Sequence, residues 1–157
     1  MPTKPSTKSP AVVHAASQPP ARFVLDGSVT LAWLFADEQD PYADAIVARL
    51  PGVSMLVPRL WHLEVANVLV VSERRGRCTQ ADSTNWLGFL AGLPIVVDTE
   101  TERRAWSDTI GLARQHGLTM YDAAYLELAV REKLPLASLD KQLKAAAKAI
   151  GVLAFQP

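Results

Sequence analysis

Four acidic residues in the sequence could act together, because each lies beside or within a strongly apolar stretch of chain. They are Asp26, Glu64, Asp122 and Asp140. Taken singly each has an ordinary explanation, since three of them could cap helices and Glu64 could be a solvated helix residue. Taken together they would repel one another, by about 4 kcal/mol for two charges about 4 Å apart at an effective dielectric constant of about 20. Such a group needs a cation among its members.

A divalent metal ion is the cation that these side chains favour. An all-oxygen set of ligands selects Mg²⁺ or Mn²⁺ over zinc, and the one basic residue next to any of the four acids in sequence is Lys141, beside Asp140. A carboxylate-bound ion can activate a water molecule and neutralise charge on a phosphate, while a further carboxylate orients or deprotonates the water. The expected chemistry is hydrolysis of a phosphodiester bond, with the number of metal ions left open.

The elements that would position these acids follow from the hydrophobic pattern. Short apolar runs, typical of strands buried on both faces, alternate with longer helical stretches. The runs cover residues 23–25, 53–57, 95–97, 134–139 and 152–155, and the clearest helical stretches cover residues 59–75, 79–90, 101–116 and 120–133. This alternation predicts the α/β class, with a parallel sheet and helices on both of its faces.

The acids fall at one edge of this predicted sheet. Asp26 ends the first apolar run and Asp140 ends the fourth, whereas Glu64 and Asp122 lie near the starts of helical stretches. In an open parallel sheet, ligands bind beyond the carboxyl ends of the strands, and a helix that follows a strand begins at that edge. We therefore expect the four carboxylates to converge there.

Local signals mark where the predicted helices begin and end. Thr79 with Asp82, and Thr99 with Glu102, have the spacing of a capping box. Glycines follow three helical stretches, at the position where a left-handed residue usually ends a helix. These glycines are Gly76, Gly117 and Gly151.

Composition narrows the class of protein. A length of 157 residues suits one domain, and 16 basic residues balance 16 acidic ones, so that binding to a polyanion needs a local patch or a bound cation. Cys78 is the one cysteine, which rules out an intrachain disulfide and is expected of a cytoplasmic protein. No apolar stretch approaches the roughly 20 residues of a membrane span.

The first twenty residues differ from the rest of the chain. They are rich in Pro, Ser, Thr and Lys, contain no acid and have no periodic apolar face. Such a segment buries too little surface to offset its ordering entropy. We expect a disordered tail over residues 1–20 and a folded domain over residues 21–157.

The segments around the acids resemble those of a known family. FVLDGSVTLAWLFADE, VPRLWHLEVANVL, LTMYDAAYLELAV and PLASLDKQL closely resemble the PIN domain of VapC-type toxins, and the match runs in order over residues 22–155. The resemblance implies a three-layer α/β/α sandwich with a five-stranded parallel sheet. It also implies a Mg²⁺- or Mn²⁺-dependent endoribonuclease, usually the toxin of a toxin–antitoxin pair.

Site residues and partners carry over from the resemblance position by position. It implies that the metal and catalytic acids are Asp26, Glu64, Asp122 and Asp140. Polar residues that match supporting positions are Ser28, Asn67 and Ser138, with Ser138 where threonine is frequent in the family. The partners implied are an RNA substrate, a VapB-type antitoxin and a second copy of the chain in a homodimer.

Other functions fit the sequence less well. A response-regulator receiver would need paired acids after the first strand and a lysine after the last, and a nucleotide-binding module would need a glycine-rich phosphate loop. The alternative of a PIN-like domain that binds RNA or a protein without cutting remains open.

Among the other polar residues, three arginines are candidates for contact with the RNA backbone or for simple helix-end charges. These are Arg74, Arg75 and Arg77.

Overall fold

A computed structural model of the chain describes residues 21–157, so the tail expected over residues 1–20 lies outside the described part. Within residues 21–157, four parallel strands form one sheet in the order β3-β2-β1-β4. The strands are β1 (Ala21–Leu25), β2 (Val53–Val57), β3 (Ile95–Val97) and β4 (Leu136–Ala137). The predicted α/β class and parallel sheet are confirmed.

The central strand β1 explains why its apolar residues are consecutive. Phe23, Val24 and Leu25 are all buried, because helices cover both faces of a parallel sheet and leave neither side of the strand in water. Val24 pairs with Leu56 of β2 on one side and with Leu136 of β4 on the other.

The predicted fifth strand is much shorter in the structure than expected. Residues 152–155 make only an isolated parallel bridge, in which Leu136 pairs with Ala154. The neighbouring strand β4 has only two residues, so the last segment makes two backbone hydrogen bonds with it. The Leu136 N–H donates to Leu153 O at 2.9 Å, and the Phe155 N–H donates to Leu136 O at 3.0 Å.

Helices pack around the sheet in two groups. They are α1 (Gly27–Leu34), α2 (Pro41–Val47), α3 (Trp61–Arg74), α4 (Gln80–Ala91), α5 (Thr101–Arg104), α6 (Ile110–His116), α7 (Met120–Glu132) and α8 (Lys141–Ala149). Helix α1 packs against α2 and α3, whereas α7 packs against α6 and α8. This is expected of right-handed crossovers, because the strand order reverses direction between β3 and β4 and moves the later helices to the other face.

The helix-end predictions have mixed outcomes. Thr79 and Asp82 form the predicted capping box, and the three predicted glycines all have positive φ. The box predicted for Thr99 and Glu102 is wrong, since α5 begins at Thr101. Buried Asp98 instead accepts hydrogen bonds from the Thr101 hydroxyl at 2.9 Å and from the Glu100 N–H at 3.2 Å.

The long helix predicted for residues 101–116 is divided by a π-helical turn, Ala105–Thr109. Among residues 21–157, no helix combines the length and apolar character needed to cross a membrane.

Candidate metal centre

A pocket of about 210 Å³ is lined by all four of the acids singled out from the sequence. It lies where β1 and β4 end and where α3 and α7 begin. We call it the acidic pocket, and define it by Asp26, Glu64, Asp122 and Asp140. Its other lining residues are Gly27, Ser28, Leu31, Val65 and Val68, so no lysine or arginine of residues 21–157 lines it. The structure thus brings the four acids together at the predicted edge of the sheet.

Asp26 is the most deeply buried of the four, with 5% of its surface exposed. It stands at the N-cap position of α1 but makes no side-chain capping bond. Its Oδ2 instead accepts hydrogen bonds from the hydroxyls of Ser28 at 2.5 Å and Ser138 at 2.7 Å. Burial raises the pKa of Asp26, the charge of Asp122 raises it further, and the two serine hydroxyls oppose the rise.

The two serines also connect the ends of β1 and β4. The Ser28 hydroxyl oxygen accepts a hydrogen bond from the Leu139 N–H at 2.9 Å, and that of Ser138 accepts one from the Asp140 N–H at 3.0 Å. Each hydroxyl therefore donates its one proton to Asp26, while its oxygen accepts a hydrogen bond from the loop that follows β4. This arrangement fixes the orientation of the Asp26 carboxylate.

Glu64 is half-buried in the first turn of α3. The start of this helix is held against α1 by the Trp61 indole N–H, which donates to the Thr30 hydroxyl at 3.1 Å. The hydroxyl of Tyr125 donates a short hydrogen bond to Glu64 Oε2. Burial, together with the charges of Asp26 and Asp122, raises the pKa of Glu64 to about 7, although the bond from Tyr125 acts to lower it.

Tyr125, which contacts Glu64, is a residue that the sequence interpretation did not identify. Its side chain is 1% exposed, and burial raises the pKa of its hydroxyl above the ordinary value. Two signals in the sequence could have identified it. Tyr125 follows Asp122 by three residues, which places both side chains on one face of the helix, and Glu64 lies among apolar neighbours where it needs a hydrogen-bond donor.

Asp140 caps α8 and Asp122 holds the side chain of Thr119, the cap of α7, while both acids line the pocket. Asp122 Oδ2 accepts a hydrogen bond from the Thr119 hydroxyl at 2.7 Å, and Asp140 Oδ1 accepts one from the Leu143 N–H at 2.7 Å. Within residues 21–157, the second oxygen of each carboxylate has no hydrogen-bond donor. The capping role of Asp140 and the bond of Asp122 to the α7 cap each use one carboxylate oxygen, which leaves one oxygen on each side chain for a further ligand.

Two polar residues singled out from the sequence lie outside the acidic pocket. Asn67 is exposed on α3 and does not line the acidic pocket, so its supporting role stays a prediction. Arg77, a candidate for RNA contact, is paired with Asp37 and Glu38, each at 2.7 Å, and stacks over the ring of Phe35. It holds the end of α3 against the turn after α1.

The donor set of the pocket fits a hydrated Mg²⁺ or Mn²⁺ ion. All four side chains offer oxygen, and none takes part in an ion pair within the described residues. In the same part of the chain, no three Asp, Glu, His or Cys side chains lie close enough together to enclose a metal ion directly. Mg²⁺ does not require such a cage, because it keeps several waters and binds through one or two carboxylates.

Comparisons with known proteins agree with this architecture. Residues 23–149 match the PIN domain family. The chain is 31% identical to ribonuclease VapC3 of Pyrobaculum aerophilum over 122 residues, which are 78% of this chain and 92% of that protein.

Two solved structures share the fold at lower identity. One is VapC20 of Mycobacterium tuberculosis, described as a toxin that cleaves the sarcin–ricin loop, with a TM-score of 0.59, 17% identity and coverage of 86% of this chain and 99% of that one. The other is VapBC2 of Rickettsia felis, bound to a DNA fragment from its promoter, with a TM-score of 0.58, 14% identity and coverage of 86% and 97%.

Proposed function

The chain belongs to the PIN-domain family of VapC-type ribonucleases, and we propose that it is a Mg²⁺- or Mn²⁺-dependent endoribonuclease that hydrolyses RNA phosphodiester bonds. The observation that carries the proposal is the acidic pocket, where four carboxylates line one cavity and no lysine or arginine of the described residues lies among them. The proposed PIN domain spans residues 21–157 and acts in the cytoplasm.

The role that we propose for each acid follows from its hydrogen bonds. Asp26, oriented by two serines, would hold the ion through its carboxylate, and the free oxygens of Asp122 and Asp140 would hold it directly or through water. A divalent ion bound there would lower the pKa of a bound water and neutralise charge on the phosphate. The nearby serines hold the carboxylate still, so that little reorganisation is needed during the reaction.

Glu64 is the acid best suited to handle a proton. Its pKa of about 7 lies near neutral pH, where a general base is most effective. Tyr125 occupies Oε2, which leaves Oε1 to contact the ion or to accept a proton from the attacking water. We therefore assign Glu64 to both the metal shell and the proton transfer.

We also propose that a VapB-type antitoxin neutralises the enzyme and that the chain forms a homodimer. Support for the antitoxin comes from the Rickettsia felis relative, whose name describes a VapBC complex. Apolar side chains on α3 and α4 offer surface for protein partners, since Leu63, Val70, Leu87 and Phe89 are exposed.

A module that binds RNA or protein without cutting is the second candidate. The observation that favours it is that no three potential ligand side chains within residues 21–157 enclose a metal ion directly. The two candidates differ in what they predict for purified protein mixed with RNA.

The test is cleavage of total cellular RNA by purified protein, with ends mapped by sequencing. We expect cleavage in Mn²⁺, none in EDTA, and recovery when Mn²⁺ is returned. Asp26→Asn and Asp122→Asn should each lower the rate by about 100-fold or more, whereas Asp108→Asn should leave it unchanged, because Asp108 is exposed and far from the pocket lining. Cleavage that is indifferent to EDTA, or equal in both pocket variants and the parent, would refute the proposal.

A further inference from the structure

Helix α8 carries three lysines on one face. Lys141, Lys144 and Lys148 are all exposed, and their spacing places them within about 60° of one another around the helix axis and over about 10 Å along it. We call them the α8 lysine stripe. The residues of α8 include no aspartate or glutamate, so the three lysines give this helix a local positive charge.

The stripe groups three of the nine lysines and arginines of residues 21–157 that take part in no ion pair there. Many arginines there are neutralised by acids, as in the pairs made by Arg59, Arg77, Arg103, Arg104 and Arg131. None of the three lysines of the stripe takes part in an ion pair within residues 21–157. Because the whole chain has no net charge, attraction for a polyanion must come from a local surface of this kind.

The stripe begins at the acidic pocket. Lys141 directly follows Asp140, which lines the pocket and caps α8. The first turn of α8 is also tied to the loop before α7, because the Gln142 side-chain amide donates to the Gly117 carbonyl at 2.6 Å. A strand of RNA whose phosphate lay in the pocket would therefore meet Lys141 first and then the rest of α8.

We infer that the α8 lysine stripe binds the phosphate backbone of the RNA strand next to the cleaved bond. This inference rests on the proposed function, and charge complementarity identifies the occupant. Lysines are point charges that bind phosphates without reading sequence. The arginines Arg74 and Arg75 are less suitable, since they lie at the far end of α3, about 15 Å along the helix from Glu64.

The test compares two variants that each remove three positive charges. The stripe variant is K141Q/K144Q/K148Q. The control variant is R74Q/R75Q/K133Q. Glutamine has nearly the same helix propensity as lysine, and circular dichroism would verify that both variants are folded. Binding of a fluorescein-labelled 30-nucleotide single-stranded RNA is measured by anisotropy between 50 and 300 mM salt, in an Asp26→Asn background that does not cut.

The expected result is a change in salt dependence. Each phosphate contact contributes about 0.7 to the slope of log K against log salt for a single strand, so loss of the stripe should reduce that slope by about 2, and the control variant should keep the parent slope. When the same three substitutions are made in the protein that cleaves RNA, KM should rise and kcat should stay at the parent value. This is expected of contacts that bind the RNA equally well in the ground state and the transition state.

Three outcomes would overturn the inference: an unchanged slope in the stripe variant, an equal loss in the control variant, or an absence of RNA binding by the parent. Displacement of the RNA by polyglutamate of the same charge at equal concentration would also overturn it, and would assign the stripe to an acidic protein. The proposed function fails separately, if the parent binds RNA through the stripe but cuts none in Mn²⁺.

Discussion

Helix α7 contributes to two clusters of acids whose surroundings differ. In the second half of α7, Arg131 lies 2.8 Å from Glu127, 3.0 Å from Glu132 and 3.1 Å from Asp98 of the loop after β3. Glu127 and Asp98 are buried. Burial acts to lower the pKa of Arg131, but the hydrogen bonds and charges of Glu127 and Asp98 outweigh it and raise the pKa. We call this group the Arg131 cluster.

Within residues 21–157, no arginine or lysine lines the acidic pocket at the other end of α7. Asp26 accepts hydrogen bonds from two serine hydroxyls instead, and burial raises its pKa because these bonds only partly offset the loss of solvation. The Arg131 cluster thus has a fixed counter-ion for its buried acids. The acidic pocket has none within residues 21–157, which is the arrangement expected of the proposed metal site.

The largest expected effect concerns the Arg131 cluster. Arg131→Gln should lower the free energy of unfolding by about 3–5 kcal/mol, because it leaves two buried carboxylates without their cation. Urea denaturation measures this. The control is Arg104→Gln, which breaks an exposed pair with Asp108 and should cost about 1 kcal/mol or less.

Adding Glu127→Gln to Arg131→Gln should recover part of the loss, since one uncompensated charge is then removed. If Arg131→Gln is no more harmful than Arg104→Gln, the Arg131 cluster does not need its fixed cation and the contrast between the two clusters fails.

The acidic pocket should respond to metal where the Arg131 cluster does not. At about 100 times its Kd, Mn²⁺ should add about 2.7 kcal/mol to the free energy of unfolding. Asp26→Asn should lose this gain, and in EDTA it should be at least as stable as the parent, because a repelling buried charge is gone. Asp108→Asn is the charge-matched control and should keep the full gain. Equal stabilisation of all three proteins would mean that Mn²⁺ binds elsewhere.

The contrast also explains how much the sequence could predict. The positions of Asp26 and Asp140 after apolar runs were enough to place both at one edge of the sheet, since the side of a parallel sheet on which strands end does not depend on packing detail. The same holds for Glu64 and Asp122, because helices that follow strands begin at that edge.

Contacts made through tertiary packing could not be predicted in the same way. The Arg131 cluster joins α7 to Asp98, more than thirty residues earlier in the sequence. The Thr101 hydroxyl donates to Asp98, and α5 begins at Thr101, so the capping box predicted for Thr99 and Glu102 does not form. The bond from Tyr125 to Glu64 spans 61 residues. Residues 152–155 had the composition of a strand, but the length of the neighbouring strand β4 determined how much of it could pair.

A smaller effect is expected at Tyr125, the residue that positions Glu64. Tyr125→Phe should weaken Mn²⁺ binding by about 10- to 100-fold, the usual cost of removing a hydrogen bond that orients a metal ligand. Isothermal titration calorimetry measures it without any need for catalysis. Tyr121→Phe is the matched control, one turn away on the same helix and exposed, and should bind Mn²⁺ as the parent does. A Tyr125→Phe variant with parent affinity would remove Tyr125 from the site.

The smallest expected effect is a dependence of metal-free stability on pH. The pKa of Glu64 is about 7 in the folded protein against an ordinary value of 4.5, so between these two values the folded chain keeps a proton that the unfolded chain has released. The free energy of unfolding in EDTA should therefore fall as the pH rises from about 4.5 to about 7 and then level off. We expect a fall of about 1 to 2 kcal/mol from Glu64, since partial exposure to solvent weakens the effect of a full shift.

The raised pKa of Asp26 acts in the same direction, so a variant is needed to isolate the share of Glu64. Glu64→Gln should remove that share, whereas Glu73→Gln, on the same helix and outside the pocket lining, should leave the parent profile. Saturating Mn²⁺ should flatten the profile of the parent, because the ion favours the charged carboxylates that protons otherwise neutralise. Two results would contradict this account: a parent profile that keeps its slope in Mn²⁺, or a Glu64→Gln profile that matches the parent in EDTA. Either would show that the acidic pocket, like the Arg131 cluster, does not depend on an exchangeable cation.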